Sequence, residues 1–344
     1  MNRETPDCVS ICFDVPENLK NEFRFREGQH LSVRAFINGE ELRRSYSICS
    51  APYENKLRIA IKKVENGLFS TWANNVLKPG DQLELMPPSG KFHAQTQTDQ
   101  KKNYLAIAAG SGITPILSIL KTTLNRESDS QFTLIYGNKN RNSIIFFEEL
   151  EALKNQFMQR LSVHYILSRE RSDTTLNYGR IDASKLHALN PLVQFASIDE
   201  CFLCGPQEMI FTAKEVLKEF QIPERNIHFE LFNSTGATVK KVPDSPSTQT
   251  ANKASVTITL DGRSTEFDMV RNGPTILDAA QAQGADLPYA CKGGMCCTCK
   301  AKLLEGQVSM EVHWGLEEEE VQHGYILTCQ SRPLTDKISI NFDL

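Results

Sequence analysis

Four cysteines near the carboxyl end of the chain constrain its fold most strongly. Cys291, Cys296 and Cys299 follow a C-x4-C-x2-C spacing, and Cys329 lies thirty residues further on. This spacing is typical of a [2Fe–2S] cluster, for which one loop supplies three thiolates and a separate strand end supplies the fourth. Zinc sites prefer paired C-x2-C units, and among these four cysteines only Cys296 and Cys299 have that spacing. We therefore predict a [2Fe–2S] cluster on these four thiolates, with Cys297 pointing away from the irons.

Length and charge limit the other possibilities. The chain has 344 residues, which is enough for two or three domains. It contains ten cysteines, and its first residues show no apolar core of a signal peptide. Metal binding therefore explains the cysteines better than disulfides do. Residues 255–344 contain 7 Lys and Arg and 13 Asp and Glu, which gives this segment a net charge of −6. The net charge of the whole chain is −4, so the rest of the chain carries −4 − (−6) = +2. We expect a cytoplasmic protein that binds neither nucleic acid nor a membrane.

Changes in periodicity along the chain predict three domains and a linker. Residues 1–98 alternate short apolar runs with turns, which predicts an antiparallel β-barrel. Residues 99–232 alternate strands with helices, which predicts an α/β domain with a parallel sheet. Residues 233–254 are rich in Ser, Thr, Pro and Lys and are interpreted as a linker. Residues 255–344 form the cysteine-containing third domain.

Apolar and alternating runs predict the individual elements. The predicted strands are Cys8–Phe13, Leu31–Phe36, Leu57–Val64, Tyr104–Ala109, Phe132–Tyr136, Val163–Leu167, Cys201–Cys204, Val256–Leu260 and Ser264–Phe267. The predicted helices are Pro115–Leu124, Glu208–Phe220 and Thr275–Gln283. Asp261-Gly262, between the last two strands, is a strong signal for a tight hairpin.

The cysteine segment resembles a known cluster loop. Residues 289–299, together with residues 327–330, are similar to the loop and strand end of plant-type ferredoxin domains. The resemblance implies an α+β, β-grasp fold for residues 255–344. Gly293 and Gly294 would let the loop wrap tightly and direct backbone N–H groups at the sulfurs.

A tetrapeptide in the first domain resembles a flavin-binding motif. Arg44-Ser45-Tyr46-Ser47 is similar to the R-x-Y-S motif of the ferredoxin–NADP reductase superfamily. There the arginine pairs with the FAD pyrophosphate, the tyrosine packs on the isoalloxazine, and the serine hydrogen-bonds near flavin N5. Gly67-Leu68-Phe69-Ser70, after Lys62, resembles the second FAD segment, where a helix N-terminus meets the pyrophosphate. Ser70 can serve as an N-cap as well.

Three later segments resemble other parts of the same superfamily. Gly110, Gly112, Thr114 and Pro115 match its G-x-G-x-T-P pyridine-nucleotide loop. Cys204-Gly205-Pro206 matches a loop whose cysteine lies beside the nicotinamide. His228–Phe232 matches the H-x-E-x-F ending, where the terminal aromatic lies near the flavin. For Phe232, core packing is an equally good interpretation.

The resemblance implies two sets of cofactor contacts. The FAD candidates are Arg44, Tyr46, Ser47, Lys62, Gly67, Ser70 and Phe232. The nucleotide candidates are Gly110, Gly112, Thr114, Pro115, Ser168, Arg169, Cys204, Gly205 and Pro206. Ser47 and Cys204 are the candidate catalytic residues, beside flavin N5 and the nicotinamide.

The segment Ser168-Arg169 predicts a preference for NADPH over NADH. It resembles the Ser-Arg that holds the 2′-phosphate in plant-type reductases, and arginine suits a phosphate. Lys139 and Arg141 could add positive charge. The alternative is an ordinary solvated loop, since NADH-using relatives also carry Ser-Arg at this turn.

Over its whole length the chain resembles the reductase subunits of phenylacetyl-CoA epoxidases, most clearly in residues 39–49, 131–138 and 284–294. The resemblance implies electron transfer from NAD(P)H through FAD and [2Fe–2S] to a di-iron oxygenase, the partner in a multicomponent monooxygenase of phenylacetate degradation. Reductases of other oxygenases or of the hybrid-cluster protein are close alternatives. A non-catalytic redox-sensing module is the alternative of another class.

Two further expectations concern the first strand of the barrel and an acidic run in the carboxyl-terminal domain. The superfamily usually has a strand before the one predicted at Cys8–Phe13, and only seven residues precede it here. We therefore expect the first barrel strand to be missing. The acidic run Glu317–Glu320 is expected to help dock an electron acceptor, although a solvated helix start is the better explanation of these four residues taken alone.

Overall fold

The computed structural model describes residues 1–171, 174–232 and 253–344. These residues form two compact units, one of residues 1–42 and 46–232 and one of residues 43–45 and 253–344. The predicted linker lies outside the described residues except for its last two, which begin a strand. Within the described ranges, no helix is long and apolar enough to cross a membrane.

The amino-terminal strands are antiparallel and carry one helix. They are β1 (Asn2–Thr5), β2 (Cys8–Phe13), β3 (His30–Ile37), β4 (Glu40–Ser47), β5 (Leu57–Lys62) and β6 (Glu84–Leu85), with α1 (Leu68–Asn75). Their ladders run in the orders β1-β2-β5 and β4-β3-β6, and an antiparallel bridge from Ile48 to Ile59 joins the two sheets. Val9, Leu31 and Phe69 lie in the same apolar core as Ile48 and Ile59. The predicted antiparallel barrel architecture is confirmed.

The expectation that the first barrel strand is missing was wrong. β1 pairs with β2 in antiparallel register, with Arg3 opposite Val9. Only two residues separate the strands, and the Thr5 hydroxyl donates to Asp7 Oδ1 at 2.7 Å across that turn. Arg3 is anchored on α1, where its Nη1 donates to Asn74 Oδ1 at 3.0 Å. Because a tight turn needs only two residues, seven residues are enough for a complete additional strand.

The second set of strands forms an all-parallel sheet. The strands are β7 (Asn103–Ala109), β8 (Gln131–Asn138), β9 (Leu161–Leu167), β10 (Glu200–Gly205) and β11 (Ile227–Leu231), in the order β11-β10-β7-β8-β9. The helices are α2 (Ile113–Arg126), α3 (Phe147–Gln156), α4 (Ala183–Val193) and α5 (Gln207–Glu219). Consecutive β7 residues such as Ala106 and Ile107 are fully buried, so both faces are covered. This confirms the predicted α/β domain.

The carboxyl-terminal residues form a mixed sheet with two short helices. The elements are β12 (Lys253–Leu260), β13 (Arg263–Val270), α6 (Ile276–Ala282), β14 (Lys300–Glu305), β15 (Val308–Met310), α7 (Glu318–Gln322), β16 (Tyr325–Leu327), β17 (Ser331–Pro333) and β18 (Lys337–Asn341). The main sheet has the order β13-β12-β18-β14-β16, in which β12 and β18 are parallel. Asp261 and Gly262 have φ of 52° and 70°, as the predicted hairpin turn requires. The predicted β-grasp fold is confirmed.

Candidate functional site

The four candidate cluster ligands meet as two pairs. The Cys291 and Cys296 thiols are hydrogen-bonded to each other, and so are those of Cys299 and Cys329. This contact, together with burial, raises the pKa of Cys291 and of Cys299. Two pairs suit two irons that each take two protein thiolates.

The cluster loop directs backbone N–H groups at these sulfurs. The Gly293 N–H donates to Cys291 Sγ at 3.3 Å, and the Gly294 N–H donates to Cys329. Gly294 has φ of +73°, and a Cβ added there would lie 2.5 Å from the Val312 carbonyl oxygen. Only glycine can therefore occupy this position, and the two N–H groups are set to stabilise thiolates.

The fifth thiol of this region has a different partner. Cys297 has φ of +54°, and its Sγ donates to the Gly315 carbonyl at 2.5 Å. A Cβ added to Gly315 would lie only 2.6 Å from that sulfur. Cys297 thus ties residue 315 to the cluster loop, and the sequence offered no signal for the role of Gly315.

The two candidate catalytic residues converge on one carboxylate. Ser47, at the end of β4, is buried, and its Oγ donates to Glu230 Oε2 at 3.0 Å. Cys204, near the end of β10, lies directly opposite Glu230 in β11 and is fully buried. Burial, and secondly the Glu230 carboxylate, raise the pKa of Cys204 well above its usual range, so its thiol stays protonated. His30 Nδ1 lies 4.0 Å from the other carboxylate oxygen.

Glu230 is the candidate site residue that sequence reasoning missed. It is the central residue of the H-x-E-x-F ending, and only the final phenylalanine of that motif was singled out. Phe232 itself is half-buried and packs against the apolar core around β7, which is the packing alternative.

In the candidate flavin-binding segment Arg44–Ser47, the arginine is exposed and one serine hydroxyl is buried. Arg44 is exposed, and its Nη1 donates to the neighbouring Arg43 carbonyl at 2.7 Å. The half-buried Tyr46 ring lies 5.7 Å from the ring of Phe69 in α1. Ser45 Oγ is buried without a hydrogen-bond partner among the described residues, which suits a site completed by a bound polar group.

Helix α1 has no side-chain cap at its N-terminus, so the alternative interpretation of Ser70 as an N-cap was wrong. Gly67 is the N-cap residue and offers no side-chain acceptor. The Ser70 hydroxyl instead accepts from the Val64 N–H at 3.0 Å and donates to the Gly67 carbonyl at 3.2 Å. The first-turn N–H groups of α1 therefore stay available to an anion. Lys62 Nζ lies 3.8 Å from Asp7 Oδ2.

The glycine turn after β7 packs directly on β10. A Cβ added to Gly112 would lie 2.1 Å from the Cys204 carbonyl oxygen, so glycine is needed for this contact alone. The Tyr136 hydroxyl donates to the Gly110 carbonyl at 2.9 Å, and Thr114 Oγ1 donates to the Ser111 carbonyl at 2.9 Å. No side chain caps α2, although Pro115 lies in its first turn. The turn thus joins the candidate nucleotide loop to Cys204.

The remaining nucleotide candidates lie at the same edge of the parallel sheet. Gly205 ends β10 and Pro206 is the N-cap residue of α5. At the end of β9, the Ser168 N–H and hydroxyl both donate to the Asn138 carbonyl, at 2.9 and 3.2 Å. The N–H of the exposed Arg169 donates to the carbonyl of Lys139 at 2.8 Å. These contacts bring two cationic residues to one edge.

Three successive segments of the chain match three families of known domains. The FAD-binding oxidoreductase domain matches residues 2–94, the NAD-binding oxidoreductase domain residues 106–215, and the 2Fe-2S iron-sulfur cluster binding domain residues 258–334. The chain is 47% identical over 341 residues to a component protein of the 1,2-phenylacetyl-CoA epoxidase of Escherichia coli K12, covering 99% of this chain and 95% of that protein. The chain belongs to the family of reductase subunits of phenylacetyl-CoA epoxidases. It is an oxidoreductase with FAD-binding, NAD-binding and [2Fe–2S] domains, as predicted.

More distant relatives also match over almost the whole chain. The ferredoxin reductase component of 3-ketosteroid-9-alpha-monooxygenase from Rhodococcus rhodochrous is 34% identical, covering 98% of this chain and 94% of that protein. The solved structure of phthalate dioxygenase reductase matches with a TM-score of 0.55 at 23% identity, covering 99% of this chain and 95% of that one. This likeness shows the three-domain fold of the reductase family over the whole chain.

Proposed function

We propose that this reductase carries electrons from NADPH to the di-iron oxygenase component of a phenylacetyl-CoA epoxidase. The observation that carries the proposal is the convergence of Ser47 and Cys204 on Glu230, beside the glycine turn that begins at Gly110. The choice of oxygenase follows from the 47% identity to the Escherichia coli epoxidase protein. The domain limits that go with it are residues 1–98, 99–232 and 255–344, and the location is cytoplasmic, where NADPH is supplied.

The proposal assigns different residues to FAD, to NADPH and to the [2Fe–2S] cluster. Arg44, Tyr46, Ser47, Lys62, Gly67, Ser70 and Phe232 would hold FAD, with the first-turn N–H groups of α1 on its pyrophosphate. Gly110, Gly112, Thr114, Pro115, Ser168, Arg169, Cys204, Gly205 and Pro206 would hold NADPH. Cys291, Cys296, Cys299 and Cys329 would hold the [2Fe–2S] cluster, two thiolates to each iron.

When bound, FAD accepts two electrons from the nicotinamide and releases them singly, and the [2Fe–2S] cluster carries one at a time. The chain contributes position and polarity. Ser47 would hold its hydroxyl at flavin N5, and Glu230 would fix that hydroxyl and could take up through it the proton that is released when the flavin is reoxidised. The neutral Cys204 thiol and its buried surroundings would exclude water and add no charge beside the nicotinamide.

The function is tested by reconstitution with a purified phenylacetyl-CoA epoxidase oxygenase. NADPH oxidation coupled to epoxide formation supports it. NADPH-dependent reduction of ferricyanide without any epoxide would indicate a reductase of another oxygenase. If neither ferricyanide nor the oxygenase is reduced, the chain is a non-catalytic redox module and the proposal fails.

We expect NADPH to be preferred over NADH because Arg169 and Lys139 stand together at the sheet edge. A 2′-phosphate needs such cations, and one charge-assisted hydrogen bond contributes about 1.5–3 kcal/mol. Arg169→Ala should therefore lower kcat/KM for NADPH roughly tenfold or more and leave that for NADH unchanged. Arg225→Ala, a substitution of another arginine in the same domain, is the control. Equal use of both nucleotides by the parent protein would contradict this prediction.

Oxygenase docking is expected to use the acidic carboxyl-terminal domain. The Glu317 N–H bonds Glu320 Oε2 at 3.1 Å, and Glu320 also pairs with Lys300 at 3.1 Å, so these two residues serve the helix start. Glu318 and Glu319 are exposed. Exposed charges mainly steer encounter and are screened by salt. The double variant Glu318→Gln/Glu319→Gln should therefore weaken the salt dependence of electron transfer to the oxygenase.

Flavin reduction by NADPH, followed by stopped flow, is the internal control for this docking prediction. Its rate should change little with salt in the parent protein and in the double variant. If the variant and the parent reduce the oxygenase equally at every ionic strength, these two glutamates have no part in docking.

A further inference from the structure

Four charged side chains, of which Lys121 is buried and the other three are partly buried, form a cluster that the proposed function does not use. Arg58 of β5 makes a two-pronged contact with Glu149 of α3, with Nη2 at 2.9 and 2.7 Å from the two carboxylate oxygens. Lys121 of α2 bridges Glu149 and Glu54, at 2.8 and 2.6 Å. We refer to these four residues as the ionic cluster. It contains two cations and two anions and is therefore neutral.

The ionic cluster is partly withdrawn from solvent. The exposed fraction of the side chain is 5% for Lys121, 18% for Arg58, 24% for Glu54 and 27% for Glu149. Burial raises the pKa of Glu149, but Arg58 and Lys121 outweigh it and hold that pKa below its usual range. A buried group of paired charges adds little net stability compared with apolar packing, whereas removing one member leaves an uncompensated charge. Stability alone therefore does not account for a buried lysine and three partly buried charges at this place.

The position of the ionic cluster connects it to the candidate cofactor segments. Arg58 and Glu54 belong to the barrel, and Arg58 precedes Lys62, the end of β5, by four residues. Lys121 is eight residues beyond Ile113, where α2 begins after the glycine turn, or about 12 Å along the helix axis. The cluster thus joins the strand that leads to the flavin segment with the helix that starts at the nucleotide loop.

A second polar contact reinforces this junction. One turn of α2 before Lys121, the Ser118 hydroxyl donates to the Ser50 carbonyl of the barrel at 2.7 Å and is fully buried. The guanidinium of Arg58 also lies over the ring of Phe146, 5.0 Å from its centroid, just before α3. Apolar surfaces alone can slide, but charge-assisted hydrogen bonds from one guanidinium nitrogen to both carboxylate oxygens restrict the register.

We propose that the ionic cluster is a positioning device that fixes the nucleotide loop relative to the flavin segment. Its residues belong to neither set of cofactor candidates and act through α2 and β5. The inference rests on the proposed function, since it concerns the distance over which electrons pass from NADPH to FAD. A misplacement of about 1 Å at a reacting centre can cost on the order of a hundredfold in rate.

Two variants test this role directly. Glu149→Gln keeps the shape of the side chain and removes the charge that Arg58 and Lys121 share. Lys121→Met removes the bridging cation, and Lys121→Arg is the conservative variant expected to restore function. Lys218→Met is the matched control, because Lys218 pairs with Glu215 and Glu224 on the protein surface.

Three measurements distinguish positioning from a purely structural role. At saturating NADPH, Glu149→Gln and Lys121→Met should slow flavin reduction about tenfold or more, with FAD retention unchanged. The charge-transfer absorbance between nicotinamide and flavin should weaken. In FAD-free protein, amide exchange in the first turns of α2 should accelerate, while Lys218→Met matches the parent in all three.

The outcomes separate failure of the inference from failure of the proposed function. If NADPH does not reduce the flavin of the parent protein, the proposed function fails. If the parent is reduced and Glu149→Gln keeps its rate and charge-transfer absorbance despite a lower melting temperature, the ionic cluster is only structural and the inference is overturned. Should Glu149→Gln not fold, Glu54→Gln at the other end of the cluster carries the same test, with a smaller expected decrease.

Discussion

Replacing Cys329 with serine is expected to remove most of the visible absorbance and EPR signal of the [2Fe–2S] cluster, while NADPH still reduces the flavin. Cys329 pairs with Cys299, so its loss takes away one of two thiolates for one iron. A serine oxygen is a poor replacement, because iron–sulfur clusters select soft thiolate ligands. Electron transfer to cytochrome c should fall with the cluster signal.

Cys297→Ser is the matched control for the cluster prediction. Its sulfur donates to the Gly315 carbonyl, which a hydroxyl can also do, so the cluster signal should be retained. A parental EPR signal in Cys329→Ser, or a lost signal in Cys297→Ser alone, would overturn the ligand assignment.

Ser47→Ala is expected to slow flavin reduction by NADPH between about tenfold and a hundredfold, with little change in the affinity for the nucleotide. The hydroxyl is held by Glu230 at 3.0 Å, and a hydrogen bond to a charged group contributes about 1.5–3 kcal/mol. Glu230→Gln should have a smaller effect, because an amide oxygen still accepts from Ser47. Single-turnover stopped flow at several NADPH concentrations gives both the rate and the apparent affinity.

Ser10→Ala provides the control for this experiment. Ser10 is also buried and also donates to a glutamate, Glu4, at 2.5 Å, but it lies on the β1–β2 pair. Both variants lose one buried serine–glutamate hydrogen bond, so their stability should fall by comparable amounts. If Ser47→Ala and Ser10→Ala reduce the flavin equally fast, Ser47 has no role at the reacting centre.

Features set by short stretches of sequence were predictable. The cysteine spacing, the glycine turn with Pro115 and the Asp261-Gly262 hairpin each depend on backbone geometry that neighbouring residues dictate. The buried strands of the parallel sheet were recognised for the same reason, since a continuous apolar run identifies such a strand without knowledge of its neighbours.

Features that depend on distant contacts were not predictable. Glu230 meets Ser47 across 183 positions of sequence, and Glu149 meets Arg58 across 91. No local pattern distinguishes Glu149 from a glutamate on a solvated surface, and the H-x-E-x-F motif contains Glu230 without indicating its partner. Gly112 was predicted as a nucleotide contact, yet the Cys204 carbonyl of β10 already excludes a side chain there.

The central claim is that electrons pass from NADPH to the flavin and only then to the cluster. Anaerobic mixing with one equivalent of NADPH, followed by flavin absorbance and by EPR of samples frozen at successive times, tests it most directly. The account predicts that flavin absorbance bleaches first, that the cluster signal appears afterwards, and that Ser47→Ala delays both phases. A cluster signal that appears without prior bleaching, or that keeps its parental rate in Ser47→Ala, would contradict the account.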